Sequence, residues 1–204
     1  MHGTRHAGGL VATWPFQGQW DDLQGPVSQA GGVAALTTEQ YRDAPFNASF
    51  MRHDQNDTLY YIYQLPHRWW RGTAVRLHMH YTPMATWVPA PASYNVRMEA
   101  AHVWVAENAE IPAAVGWTVT PVDVTILPAQ QYTDLYVALL TIPYPATAKE
   151  STIIRARIRR LGMDGADTYV VAKDHGTAAA NLAVWDFDCH YQCDKPGTIT
   201  ELPA

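Results

Sequence analysis

Leu65-Pro66-His67-Arg68-Trp69-Trp70-Arg71-Gly72-Thr73-Ala74-Val75-Arg76-Leu77-His78-Met79-His80-Tyr81 holds the pattern from which the rest of the chain can be read. After the Arg71-Gly72 turn the residues alternate. Val75, Leu77, Met79 and Tyr81 fall on one side, and Arg76, His78, His80 and Thr82 on the other. A period of two is the signature of a β-strand with one buried face. Near the C-terminus Trp185, Phe187, Cys189, Tyr191 and Cys193 alternate in the same way with Asp186, Asp188, His190, Gln192 and Asp194. Each of these two strands has an apolar face for a core and an ionisable face for something else.

Outward from that pair, most of residues 47–204 reads as strand. Residues 46–52 and 58–65 flank the turn-rich His53-Asp54-Gln55-Asn56-Asp57 and predict a hairpin. Residues 95–106, 116–127 and 151–160 predict further strands, with Pro121 marking an edge or a bulge in the second of them. Residues 135–142 are apolar on both sides, which predicts a strand deep in the core, and 168–172 predicts one short strand more. No helix longer than two turns is foreseen. Eight or nine strands punctuated by Pro and Gly predict an all-β fold, a jelly-roll-like β-sandwich, with a closed barrel or an immunoglobulin-type sandwich as the alternatives. Residues 1–46 lack sustained periodicity and read as an extended N-terminal arm with one short helical turn around 37–42. Trp14, Phe16 and Trp20 make that arm too aromatic for a solvated tail, so it is expected to attach to its own domain, residues 47–204, or to a neighbouring subunit.

At 204 residues the chain suits one domain with an arm, and its size suffices for a real core. The formal net charge is −5, with 3 Lys against 11 Arg, so no broad basic surface offers itself to nucleic acid. Nothing approaches a membrane-spanning run, and Met1–His6 is followed by no apolar core of a secretory signal. Neither nucleic acid nor membrane is therefore expected as a direct partner. Cys189 and Cys193 sit four apart on one strand, about 13 Å if it is extended, too far for a disulfide. Free, buried thiols fit assembly in a reducing compartment. Trp 8 and Tyr 11 against Phe 4 favour rings with a polar tip, suited to cores, interfaces and sugar platforms alike.

Gly72-x5-His78-x-His80 matches the first half of the cupin metal motif, because imidazoles at i and i+2 on one strand face can share an ion. His190 would be a third ligand, with Asp186 or Asp188 as the carboxylate. The Glu that the motif requires shortly after the second His is replaced by Met84 and Ala85, and its second half has no counterpart. The competing reading places Arg76, His78, His80, Asp186, Asp188 and His190, together with Arg155, Arg157 and Arg159, in a polar lattice of cross-strand ion pairs at an interface. Serines lack a Gly-x-Ser-x-Gly context, and neither cysteine sits at a helix N-terminus, so no catalytic nucleophile is expected. Trp69, Trp70 and Trp87 lie beside loops, as sugar-stacking rings would, which gives a carbohydrate-binding module as one alternative. No cofactor is expected.

Trp20-Asp21-Asp22-Leu23, then Leu65-Pro66-His67 with Gly72-Thr73 and Leu77-His78-Met79-His80-Tyr81, then Asp188-Cys189-His190-Tyr191-Gln192-Cys193-Asp194 with Gly197, form an ordered set of short blocks. In that order they resemble a family of tailed-bacteriophage virion proteins. The resemblance covers most of the chain and implies a non-enzymatic structural protein with a β-sandwich domain, assembled as a homo-oligomer, a trimer by expectation. It implies a capsid decoration (cement) or head-fibre protein, or a neck or tail appendage. It would contact the major capsid protein or other virion proteins after assembly in the host cytoplasm. The family supplies no catalytic residues. The Pro-rich stretch 83–91 and the two cysteines depart from its pattern.

Overall fold

The alternation at Val75–Pro83 forms a strand with Val75, Leu77, Met79 and Tyr81 buried and Arg76, His78 and His80 turned away from the core. Gly72, at φ 94°, makes the turn that precedes it, a left-handed conformation that favours glycine. The computed structural model describes residues 19–24, 28–29, 37–40, 47–52, 57–84, 93–106, 109–110, 112–113, 116–146, 148–149, 151–162, 164–169 and 181–193.

Among these residues eleven strands occur: β1 (Gln19–Gln24), β2 (Ser28–Gln29), β3 (Thr37–Gln40), β4 (Asn47–Met51), β5 (Thr58–Gln64), β6 (Val75–Pro83), β7 (Tyr94–Val105), β8 (Thr118–Ile126), β9 (Leu135–Ile142), β10 (Ile153–Arg160) and β11 (Leu182–Cys193). One sheet runs β3-β4-β11-β6-β9, with β1 paired to the C-terminal half of β11; the other runs β2-β5-β10-β7-β8. Every pairing is antiparallel. The pairs β7–β8, β6–β9, β5–β10 and β4–β11 are nested like the rungs of one long hairpin. Rolling that hairpin adds the seams β6–β11 and β7–β10 and divides it between two sheets. This is the eight-stranded jelly-roll order, so the chain is an all-β, jelly-roll-like sandwich, neither a closed barrel nor an immunoglobulin-type fold.

The core fills the space between the sheets. Tyr61 and Tyr63 of β5 meet Phe187 of β11, the Tyr61 and Phe187 ring centroids being 3.9 Å apart, and the Tyr63 hydroxyl donates to the Phe187 carbonyl. Leu59, Leu77, Met79, Val96, Met98, Ile154 and Ile158 are among the residues that pack with them. Each such side chain contributes about 1.5–3 kcal/mol when fully buried.

Five expectations change. Residues 46–52 and 58–65 form no hairpin, because β4 and β5 belong to different sheets and the chain crosses between layers. Residues 37–40 are the strand β3 rather than a helical turn, since β4 offers them an edge to pair with. Residues 135–142 are the edge strand β9: Leu139, Leu140 and Ile142 are buried in the core, whereas Tyr136 is 73% exposed and Leu135 and Val137 are only partly buried, so the strand lies at a margin of its sheet. Trp185 leaves the core face: a bulge between Val184 and Asp186 turns it to the far side of the sheet, against Ala48, Phe50 and Ala183. Thr168 and Tyr169 form no strand, and residues 170–172 lie outside the described residues. Pro121 does lie on an edge strand, where its missing N–H breaks no ladder. The N-terminal arm, where described, lies along its own domain: β1 and β3 extend the first sheet and β2 the second.

Candidate functional site

The seam between β6 and β11 places His78 opposite Asp188 and His80 opposite Asp186 on the outer face of the first sheet. Side chains two apart on a strand share a face, and directly opposed residues on paired strands come within contact distance. His78 Nε2 lies 3.1 Å from His80 Nε2 and 3.1 Å from Asp188 Oδ2, and His80 Nε2 lies 3.5 Å from the same oxygen. Three ligand-type atoms from two strands therefore converge on one point. Asp188 is buried, its side chain 7% exposed, and its Oδ1 has no hydrogen-bond partner. His80 turns its other nitrogen, Nδ1, towards Asp134 Oδ2 at 3.8 Å.

Burial governs the charges here. It lowers the pKa of His78, with the neighbouring His190 acting in the same sense and Asp188 opposing. Burial also raises the pKa of Asp188, against the pull of His78. In each case loss of water outweighs the attraction between the partners.

A groove of about 440 Å³ opens on the cluster, lined in part by Arg76, Tyr136, Thr141 and His190. Tyr136 stands opposite His80 on β9, its ring centroid 6.4 Å from the imidazole. The Arg76 guanidinium lies 4.4 Å from the ring centroid of Trp20, which is 41% exposed on β1. His190 packs edge-on against His78, ring centroids 4.2 Å apart, and its Nε2 meets Asp22 Oδ1 at 2.9 Å. Its Nε2 is thus engaged by Asp22, and it supplies no atom to the converging group. The expected ligand set of His78, His80 and His190 is replaced by His78, His80 and Asp188, because Asp188 rather than His190 stands opposite His78. Asp186 is exposed and contributes no atom to the cluster.

The expected lattice splits in two. Arg155, Arg157 and Arg159 lie on β10, on the outer face of the other sheet, and the whole core separates them from His78 and Asp188. Arg157 and Arg159 bind Glu99 of β7, at 3.1 and 3.0 Å, rather than Asp186 or Asp188. The Trp69 side chain is fully buried, against Trp104 and Tyr144, and offers no platform for a sugar; Trp70 is half-buried. Trp14, Phe16 and Trp87 lie outside the described residues.

Asp22, Asp134, Tyr136 and Glu99 were not foreseen as site residues. A signal for Glu99 existed in the alternation of Arg97 and Glu99 against Val96 and Met98, while Asp134 carries only the signal of an acid at a strand start. Arg160, one position beyond the arginine row, points inward and is fully buried, with its side chain paired to Asp167.

No family model matches the chain, and no curated protein matches it. Among solved structures it is similar to TmCBM61, solved in complex with beta-1,4-galactotriose. The identity is 10% and the TM-score 0.32, over 85% of this chain and 88% of that one. At that TM-score the likeness bears on neither ligand nor role.

Proposed function

We propose that the chain is a non-enzymatic structural protein of a tailed-bacteriophage virion, a capsid decoration or head-fibre-type component that works as a homo-oligomer. One observation carries the reading: the short sequence blocks that resemble the virion family, far apart along the chain, are bonded neighbours in space. Trp20–Leu23 of β1 pair with β11, and β11 pairs with β6. The turn after Leu65-Pro66-His67 closes onto the end of β11, where Trp69 bridges Cys193 and the Trp70 N–H donates to the Gln192 carbonyl at 2.6 Å. The same turn is tied to residues 151–152 through Leu65 N–H to the Thr152 carbonyl and His67 Nε2 to Ser151 Oγ at 3.1 Å. A set of blocks held as one unit is what a common scaffold requires.

In this reading the outer face of the first sheet meets a second copy or the major capsid protein. Tyr136 and Trp20 supply the exposed amphipathic rings there, a residue type enriched at interfaces. Light scattering on the purified chain and fractionation of purified particles test the reading. A stable oligomer, weakened by Tyr136→Ala without loss of folding, together with the chain in the particle fraction, is the expected result. A strict monomer at every concentration that is also absent from particles refutes it.

A further inference from the structure

We propose that His78, His80 and Asp188 form a binding site for a divalent transition-metal ion, zinc the best match, held by His78 Nε2, His80 Nε2 and Asp188 Oδ2. The site stands independently of the virion role and does not require that the chain be an enzyme.

The spacing of the three atoms fits such an ion. Zinc binds imidazole nitrogen and carboxylate oxygen at about 2.0–2.2 Å, and tetrahedral angles then set ligand atoms roughly 3.3 Å apart. The three observed edges, 3.1, 3.1 and 3.5 Å, bracket that value. Two histidines and one carboxylate with an open position is a donor set that such metals use.

Protons alone do not satisfy the three atoms. Each neutral imidazole carries a single N–H, and a nitrogen that donates cannot also accept. If both Nε2 atoms held protons, the two N–H groups would oppose each other at 3.1 Å. If only one does and Asp188 is ionised, a single proton must serve two nitrogens and a buried carboxylate. One cation at the centre satisfies all three atoms together. It also offsets the charge of Asp188, whose Oδ1 is buried without a partner.

The surroundings of the cluster suit a bound cation. Asp134 approaches the far nitrogen of His80, in the position where a second carboxylate orients a metal-bound imidazole. The groove beside Arg76 and Tyr136 leaves the remaining coordination position open, for water or an anionic oxygen ligand.

Calorimetry with Zn2+ on the full chain, after chelator treatment and dialysis, tests the site. One equivalent per chain is expected. At a free Zn2+ concentration about 100 times the dissociation constant, the melting midpoint should rise by about 5–10 °C. Co2+ in place of Zn2+ should give the visible absorption of a four- or five-coordinate ion. D188N and H78A should each weaken binding by more than about 100-fold, since loss of an outer-shell partner alone costs 10–100-fold. H190A should bind stoichiometrically, because His190 contributes no ligand atom. Should a variant fail to fold, the Co2+ spectrum and stoichiometry of the parent chain still decide. Absence of saturable Zn2+ binding to the parent chain overturns the proposal, and so does loss of binding in H190A with retention in D188N.

Discussion

Replacing Asp167 with Ala should destabilise the fold by about 3 kcal/mol. Arg160 ends β10 with its side chain wholly buried, and Asp167, equally buried, grips it in a bidentate pair: Nε to Oδ2 at 3.0 Å and Nη2 to Oδ1 at 3.1 Å. Removing one partner of a buried pair strands the other charge and costs about 3–5 kcal/mol. Carbonyls remain for the guanidinium, among them Met51 O at 3.1 Å and Tyr169 O at 2.6 Å, which places the loss at the lower end of that range. Met51 belongs to one sheet and Arg160 to the other, so the cluster also ties the layers together at one end of the sandwich. In a chain of 204 residues such a loss should lower the melting midpoint by roughly 6–12 °C. Urea and thermal unfolding followed by circular dichroism measure it. Arg160→Met should cost less than the Asp167 change, because the backbone N–H groups of Arg97 and Tyr169 still donate to Asp167. The double substitution R160M/D167A should cost clearly less than the sum of the two. A loss below about 1 kcal/mol for D167A, or strict additivity, would refute the assignment of this pair as a buried charge clasp.

Cys189 is fully buried, and its thiol is pushed up to about 12 by burial, with Asp22 and Asp188 adding to the effect. At pH 8 neither it nor Cys193 should react with a disulfide reagent in the native protein, and both should react in guanidinium. Rapid stoichiometric labelling of the native chain would contradict this burial. A chain beginning at residue 47 lacks β1, β2 and β3 and leaves the C-terminal half of β11 without a partner on one side. Bared strand edges template aggregation, so gel filtration should show aggregated or unfolded material. A monodisperse product with the parent melting midpoint would mean that the three strands add nothing to the sandwich.

The class of fold was legible because strand periodicity is a local property. Val75–Tyr81 and Ile154–Arg159 follow their expected alternation residue by residue. Jelly-roll order was foreseen from the number of strands alone, and the pairing scheme stayed hidden because nesting β4 on β11 and β5 on β10 depends on contacts between distant parts of the chain. The hairpin expected at 46–65 failed for that reason: a turn-rich connection is the same sequence whether it joins two strands of one sheet or crosses between sheets. Trp185 failed for a local one. An extra residue in a strand reverses the face of what precedes it, and nothing in Val184-Trp185-Asp186 announces the bulge.

The same distinction explains the candidate site. His78 and His80 were readable as one face of one strand, because i and i+2 need no partner to be aligned. Their third companion had to come from another strand, and the alternation of β11 offered Asp186, Asp188 and His190 on equal terms. Register decides among them: Asp188 faces His78, Asp186 faces His80, and His190 faces Arg76. Chemistry then separates the first two, because Asp188 is buried beneath both imidazoles whereas Asp186 is exposed and solvated. His190 is drawn to Asp22 of β1, a strand from the segment expected to be an arm. The N-terminal strand thus acts beside the site twice: its Asp22 holds His190, and it sets Trp20 against Arg76 at the margin of the groove. Had the first forty residues formed a separate arm, His190 would have lacked that acceptor, while register would still have set Asp188 opposite His78.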